Sequence, residues 1–417
     1  MFGIAWKSLI NRWPTALLAI LAIVMSVALI LSVEKIRRDA RSSFTQTVSG
    51  TDLIVGARSG AVQLLLYSVF RIGNATNNIS WESVQDIEQR AAVDWLIPLS
   101  LGDSHQGYRV VGTDNRFFEH FRYGNDRSLT LREGHPFDDV FDTVIGSDVA
   151  EQLGYTIGQS IVVAHGTGNV GLVEHDKQPF RVSGILERTG TPVDRAVHVS
   201  LEGIEAMHVD WRSGSKARGE GTSADAIRAM DLQPTAVTAL LIGLKSRGSV
   251  FREQRAINTY TEEPLLAILP GVALQELWGL VGVAESALFI VSVSVVVCGL
   301  INLLSVLLAG LNERRREMAI LRSVGARPAH VFVLLCIEST LLTVLGVVLG
   351  LMLHYVLTSI GGQWLQHRYG ISIALELPDK SDLLILASII VAGFLAGLLP
   401  ALSAYRKSLA DGMTQRL

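Results

Sequence analysis

The chain has 417 residues, of which 49% are hydrophobic and only 18% charged, with a net charge of −3. That balance is too apolar for an ordinary soluble protein and too polar for a wholly embedded one, so membrane spans share the chain with a folded domain. The charge is uneven: residues 34–286 carry 24 Lys and Arg against 32 Asp and Glu, and so acidic a domain excludes nucleic acid as a partner.

In chain order, residues 1–12 open on an apolar stripe, Phe2, Trp6, Leu9 and Ile10, continued by Trp13, with Lys7, Asn11 and Arg12 off it. This pattern predicts an interfacial helix that turns into a span at Pro14. Residues 13–33 are uncharged and long enough for a hydrocarbon core of ~30 Å. No clean small-x-small site follows, so this first span is expected to stay as an anchor.

Residues 34–286 read as an α+β domain inserted between the first and second spans. Its ends, "VEKIRRDARSSFTQTV" and "ALQELWGLVGVAESAL", are helix-like and suggest a stalk. "YRVVGTD", "QSIVVAHG", "FRVSGIL", "RAVHVSL" and "TAVTALLIGL" are strand-like. "SDVAEQLG" predicts a short helix capped by Ser147 and stopped by Gly154, and residues 213–225 form a Gly- and Ser-rich loop. Three further spans follow at 287–311, 331–357 and 383–405. They leave connectors at 312–330 and 358–382 and a tail at 406–417.

Loop charge sets the orientation. Residues 1–12, 312–330 and 406–417 carry an excess of Lys and Arg, whereas 358–382 carries Glu376, Asp379 and Asp382 against Arg368 and Lys380. Both termini and 312–330 are therefore expected in the cytoplasm. Lys35, Arg37, Arg38 and Arg41 stand against this on the outer side, but long domains translocate largely regardless of charge.

Chemistry-bearing motifs are few. The chain has no phosphate-binding G-x-x-x-x-G-K-[ST], no H-E-x-x-H and no G-x-S-x-G. Cys298 and Cys336 fall in apolar runs and offer neither a disulfide framework nor a metal spacing. Seven of the ten histidines lie in 34–286. If Gly166–Gly171 is a hairpin turn, His165 and His175 would face each other at a separation suited to zinc; polar loop histidines are the plainer alternative. Glu338 is an acid inside a span, with either a structural or a transport role. Gly346/Gly350 and Gly393/Gly397 have the spacing that lets membrane helices approach closely.

The connector "LNERRREMAILRSVGARP" carries the most information. On a helix, Ile320, Leu321 and Val324 share a face with Glu313 and Glu317, while Arg315 and Arg322 lie opposite. An apolar stripe flanked by acids suits a protein groove better than anionic lipid, and Gly325 would end the helix before Pro328.

This stretch resembles the hallmark of the MacB/FtsX/LolC-E family of ABC permeases, a coupling helix of the form E-R-x-R-E-I-x-x-L-R-A-x-G-A. The matching residues are Glu313, Arg314, Arg316, Glu317, Leu321, Arg322, Gly325 and Ala326. "GLLPALSAYRKSLADGM" resembles the second signature at Gly397, Pro400, Ala401 and Ala404, although "LADGM" departs from the usual end. "VVGTDNRFF", "LREGHPF" and "TVIGSDVAEQLGYTIGQSIVV" look like the MacB-type periplasmic domain. The resemblance implies four transmembrane helices plus that α+β domain, in a bacterial inner membrane. It implies a non-catalytic subunit paired with a second permease copy or paralogue, with ATP-Mg held by a separate cytoplasmic ABC ATPase. A periplasmic adaptor, carrier or binding protein is a further expected partner. An FtsX-like regulatory lever and metal-related transport are the alternative functions.

Overall fold

The computed structural model describes residues 12–47, 49–165, 173–174, 179–209, 211–212, 215–216, 222–313, 327–369 and 376–406. The interfacial stretch 1–11, most of 213–225 and the tail beyond 406 lie outside them. The chain divides into two compact units. A helical unit takes residues 1–39, 282–368 and 372–417, and an α+β unit takes 40–281 with 369–371.

Four helices are long and apolar enough to cross a membrane: α1 (Trp13–Gln46), α9 (Pro270–Glu313), α10 (Pro328–Tyr369) and α11 (Lys380–Arg406). α1, α9 and α10 outrun their apolar cores. α1 continues past residue 33 through the charged stretch, α9 begins well before residue 287, and residues 358–369 of the 358–382 connector are helical.

Small residues decide how these helices pack. A Cβ on Gly346 would stand 2.7 Å from Ile23 of α1, and one on Gly350 equally close to Val27. Gly393 and Gly397 meet Thr343 and Ser339 of α10 in the same way, with no room for a Cβ. Ser26 in α1 donates to the Val295 carbonyl of α9 at 3.1 Å. Ala19, Ile23, Val27, Leu303 and Leu342 form the shared core. Water is not expelled from between helices that already sit in hydrocarbon, so close contact takes over as the packing force.

In the α+β unit the main strands are β1 (Leu53–Ala57), β2 (Val93–His105), β3 (Tyr108–Thr113), β4 (Leu131–Gly134), β5 (Asp142–Ile145), β6 (Phe180–Leu186), β7 (Ala196–Ser200), β8 (Ala239–Leu244) and β9 (Leu265–Ile268). They form one mixed sheet in the order β9-β1-β8-β2-β3-β7-β5-β6-β4. The β3/β7 and β5/β6 pairs are parallel. Both faces are covered. Ile54, Val111, Val144 and Leu241 point into one cluster, while their neighbours Val55, Val110, Ile145 and Leu240 point into others. Side chains alternate across a strand, so burial on both faces requires the near-continuous apolar runs "LIVGA" and "ALLIGL".

Short helices line the sheet: α2 (Ala61–Ser68), α3 (Trp81–Glu88), α4 (Arg116–His120), α5 (Ser147–Leu153), α6 (Leu201–His208), α7 (Ala224–Arg228) and α8 (Val250–Asn258). Ser80 and Ser200 cap α3 and α6 by accepting from Ser83 and Gly203 backbone N–H groups.

Two local expectations change. Ser147 does not cap α5: it is the first helical residue, and its hydroxyl is buried without a bond. The cap position is Gly146, where a Cβ would collide with the Asp194 carbonyl. Gly154 does end the helix, at φ 68° in the left-handed region. "QSIVVAHG" is not one strand but two short pieces, Ser160–Ile161 and Ala164–His165, pairing with β6 and β2 respectively.

Candidate functional site

The functional candidates of the helical unit gather at its two polar ends. At one end α9 stops at Glu313 and α10 starts at Pro328, with the His330 ring accepting from the Arg327 backbone N–H at 3.0 Å. The connector between them holds Arg314, Arg315, Arg316, Glu317, Ile320, Leu321, Arg322, Val324, Gly325 and Ala326, all outside the described residues.

At that same end Glu338 is buried, 4% exposed, one helical turn from Leu335 and Leu342. It lines a cavity of about 260 Å³ together with Arg12, Ser305 and Leu307. Arg12 reaches across from the start of α1 and donates to the Gly310 carbonyl of α9 at 3.0 Å. The polar groups of three helices therefore meet around one space.

The second signature sits beside it. Gly397, Pro400 and Ala401 are buried along one side of α11, and Ala401 packs with Val331, Leu335 and Cys336 of α10. Gly397 lies against Ser339. Gly397 and Ala401 need to be small because α10 and α11 touch there; Ala404 follows in the same helix.

The opposite end carries an ion-pair clasp that sequence reasoning missed. Arg38 donates to both Asp382 carboxylate oxygens at 2.8 and 2.9 Å, to Ser381 at 2.7 Å and to Asp379. Lys35 bridges Asp39 at 3.1 Å and Glu376 at 3.2 Å, and Arg37 bonds Glu34 at 2.6 Å. Asp379 and Asp382 also form a reciprocal cap for α11: Asp379 accepts from the Asp382 N–H at 2.9 Å, and Asp382 accepts from the Asp379 N–H at 3.2 Å. The Asp382 N–H, then the Ser381 hydroxyl and Arg38, hold the Asp379 carboxyl well below the usual carboxylate range. The signal in the sequence was charge complementarity, four basic residues after one span and three acids before another.

In the α+β unit two adjoining cavities, about 420 and 340 Å³, share Asn115, Glu119 and Asp138. The larger is acidic, with Asp114, Asp139 and Glu202 on its wall; the smaller is edged by Phe118, Leu129 and Leu186. Burial raises the Asp114 carboxyl even though Arg116 bonds it at 2.6 and 2.8 Å.

The geometric argument for a zinc pair does not hold. Ala164–His165 pairs with Val173–Glu174 in a register that sets His165 opposite Val173, not His175. The turn therefore does not make the two histidines direct partners, and His175 itself lies outside the described residues. Among the described residues, no group of three or more His, Cys, Asp or Glu is placed to hold a metal.

Two families of sequence match this arrangement. The profile described as MacB-like periplasmic core domain covers residues 16–239, more than half of the chain, and that described as FtsX-like permease C-terminal covers residues 289–409. The chain belongs to the MacB/FtsX/LolC family of ABC permeases.

Within the permease family, it is similar to the lipoprotein-releasing system transmembrane protein LolC of Neisseria meningitidis serogroup B. The two are 26% identical over 223 residues, which cover 52% of this chain and 48% of that protein. The chain thus matches about half the length of that permease. Among solved structures it is similar to the periplasmic region of MacB from Actinobacillus actinomycetemcomitans, at 10% identity and a TM-score of 0.34, covering 55% of this chain and 94% of that one. It is also similar to the extracellular domain of the ABC-type transporter YknZ from Gram-positive bacteria, at 12% identity and a TM-score of 0.31, covering 52% and 99%. The permease C-terminal match takes in α10, α11 and the connector before them, so the polar end around Glu338 belongs to the family-defining region.

Proposed function

We propose that this permease couples ATP hydrolysis by a separate cytoplasmic ABC ATPase to movement of its α+β domain in the periplasm of a bacterial inner membrane. Residues 312–327 are the contact with the ATPase, and the working unit is a dimer of two permease chains. ATP-Mg stays in the partner, since this chain carries no phosphate-binding loop of its own.

The observation that carries the reading is the connector itself. It joins two spans within the region matched to the permease family, and its sequence pattern would set Ile320, Leu321 and Val324 on one face beside Glu313 and Glu317 if it is helical. The ion-pair clasp supports the orientation. Lys35, Arg37 and Arg38 all have acidic partners, and Arg41 stacks over Trp278 at 5.5 Å. Through Lys35 and Arg38 the basic cluster shares a side with the acidic connector 358–382, as that orientation requires. The helices α1 and α9 extend beyond their apolar spans as single elements, which suits a protein that transmits force.

The load is a periplasmic substrate that is exported or extracted; the name of the Neisseria relative makes lipid-modified protein the first class to try. The paired cavities of the α+β unit favour a bound load over a pure regulatory lever.

Reporter fusions after Ser246 and after Arg316 test the orientation, with opposite sides expected. Isolation of the tagged chain from native membranes tests the partnership, with an ABC ATPase expected in stoichiometric amount. The same side for both reporters, or no ATPase, overturns the proposal.

A further inference from the structure

We propose that the apolar groove between α4 and β4 docks an extended polypeptide segment carrying a Lys or Arg two positions from an apolar residue. The inference rests on reading the paired cavities as a load site and needs no ATPase coupling.

The groove has a volume of about 340 Å³ and is walled by Phe118 of α4, Leu131 of β4, and Leu129, Pro136 and Leu186. That size falls in the range of about 300–1,000 Å³ usual for binding clefts. Covering its apolar wall with a docked side chain removes that wall from water, which favours binding.

One side of the groove is an open strand edge. β4 ends the sheet, and among the described residues it pairs with β6 alone while no side chain bonds the backbone of residues 131–134. The other end of the sheet is treated differently. There Asn258 of α8 accepts from the Ala267 N–H of β9 at 2.6 Å, and Gln254 donates to the Ala267 carbonyl at 3.1 Å. The fold thus seals one edge and leaves the other presenting backbone N–H and C=O groups beside an apolar groove. An extended chain answers both, with backbone bonds to the edge and a side chain in the groove.

Charge selects a second side chain. The larger cavity, about 420 Å³, opens from the same Asn115, Glu119 and Asp138. Its Asp114 and Asp139 are already paired with Arg116 and Arg228 and attract nothing further. The surplus is Glu119, Asp138 and Glu202, all exposed and without a Lys or Arg partner among the described residues. The Glu119 and Asp138 carboxylates meet only the His120 and His135 rings, at 3.9 and 3.2 Å. Three such carboxylates around one opening repel one another and favour an incoming cation. In an extended chain, side chains two positions apart lie on one face, roughly 6.6 Å from each other. An apolar residue in the groove therefore carries the second residue over the acids.

The test uses the full chain in phosphatidylcholine nanodiscs and a fluorescein-labelled hexapeptide, Ser-Leu-Thr-Lys-Thr-Ser, with fluorescence anisotropy reading binding. Saturable binding is expected, at least tenfold tighter than that of the same peptide with Glu in place of Lys. A peptide N-methylated at alternate backbone amides, which keeps the side chains but loses N–H donors, should also bind at least tenfold more weakly. Glu119→Lys together with Asp138→Lys should reverse the preference in favour of the Glu peptide, a gain that a merely destabilised domain could not show. No binding by the natural chain at millimolar peptide, or equal affinity for the Lys and Glu peptides, overturns the proposal. Undiminished binding of the N-methylated peptide would remove the strand edge from the site and overturn it as well. Displacement of the peptide by millimolar hexylamine would assign the groove to a small amphiphilic cation and overturn the polypeptide reading.

Discussion

The two units bury and expose the same residue types by opposite rules. In the α+β unit Phe117, Leu64, Ile97 and Phe180 are fully enclosed, as expected where water drives apolar surface inward. In the helical unit Val283, Ile290 and Leu384 stand 76%, 63% and 68% exposed, and inside it the small or polar Gly346, Gly397, Ser339 and Glu338 share the interior with Ile23, Val27 and Leu342. Hydrocarbon outside removes the penalty for exposed apolar side chains and leaves close contact and polar pairing to hold helices together. A buried polar residue therefore means different things in the two units. His198 in the sheet is enclosed and neutral, while the equally enclosed Ser26 of α1 joins separate helices through the Val295 carbonyl of α9.

That contrast can be broken most sharply by truncation. Phe117→Ala removes a ring packed against Phe121 and His198 and should cost about 3–5 kcal/mol. Val283→Ala, which removes two methyl groups from a bare surface, should stay within about 0.5 kcal/mol. Urea titration of the detergent-solubilised chain measures both; equal losses would erase the distinction.

Gly397→Val places methyl groups where Ser339 already stands. Helix α11 must move away from α10, at about 1–3 kcal/mol. A lowered thermal midpoint is expected, partly restored by Ser339→Gly. No restoration would mean the two helices do not meet there.

Acid should weaken the α+β unit through His198. Burial, then the charge of Arg71, pushes its pKa down to about 3, against the opposing bond to the Val144 carbonyl. The unfolded chain takes up a proton below about 6.5 while the fold refuses it. The stability is complete above pH 6.5 and declines as pH falls toward 3, by about 1.4 kcal/mol per unit. Urea midpoints at pH 7 and pH 5 should differ by roughly 2 kcal/mol of stability. His198→Phe should flatten that difference, and an unchanged slope would place the acid-sensitive group elsewhere.

The smallest effect is assigned to the clasp. Arg38 and Asp382 are partly exposed, so their coupling in a double-mutant cycle of Arg38→Gln and Asp382→Asn should be about 0.5–1 kcal/mol. A value near zero would reduce the clasp to a surface contact.

Much of this was legible in the residues themselves. Long apolar runs and loop charge marked the four helices, and "FRVSGIL" and "RAVHVSL" read directly as strands. β2 did not, because Pro98, Gly102 and Asp103 interrupt its pattern; the strand survives through a bulge between Leu101 and Ser104 and the Thr113 hydroxyl on the Pro98 carbonyl. β1 was hidden because burial on both faces removes the alternation that identifies a strand. The order of the sheet depends on pairings between distant segments, such as β3 with β7, that no local pattern encodes. At the site, Gly397 and Ala401 were found by their motif, and the structure supplies the reason in contact with α10. The clasp charges were visible but read as a conflict with loop-charge asymmetry, since their pairing across more than 340 positions appears only in three dimensions.

The central claim is that residues 312–327 dock into a partner ATPase, and Leu321→Asp together with Val324→Asp tests it most directly. Two carboxylates set into a protein groove without partners would be costly enough to break the contact, while spans remote from the connector stay folded. The double variant, purified from membranes in normal amount, is predicted to lose both the co-purifying ATPase and any stimulation of its ATP hydrolysis. Normal co-purification with normal stimulation would contradict the account and place the contact elsewhere.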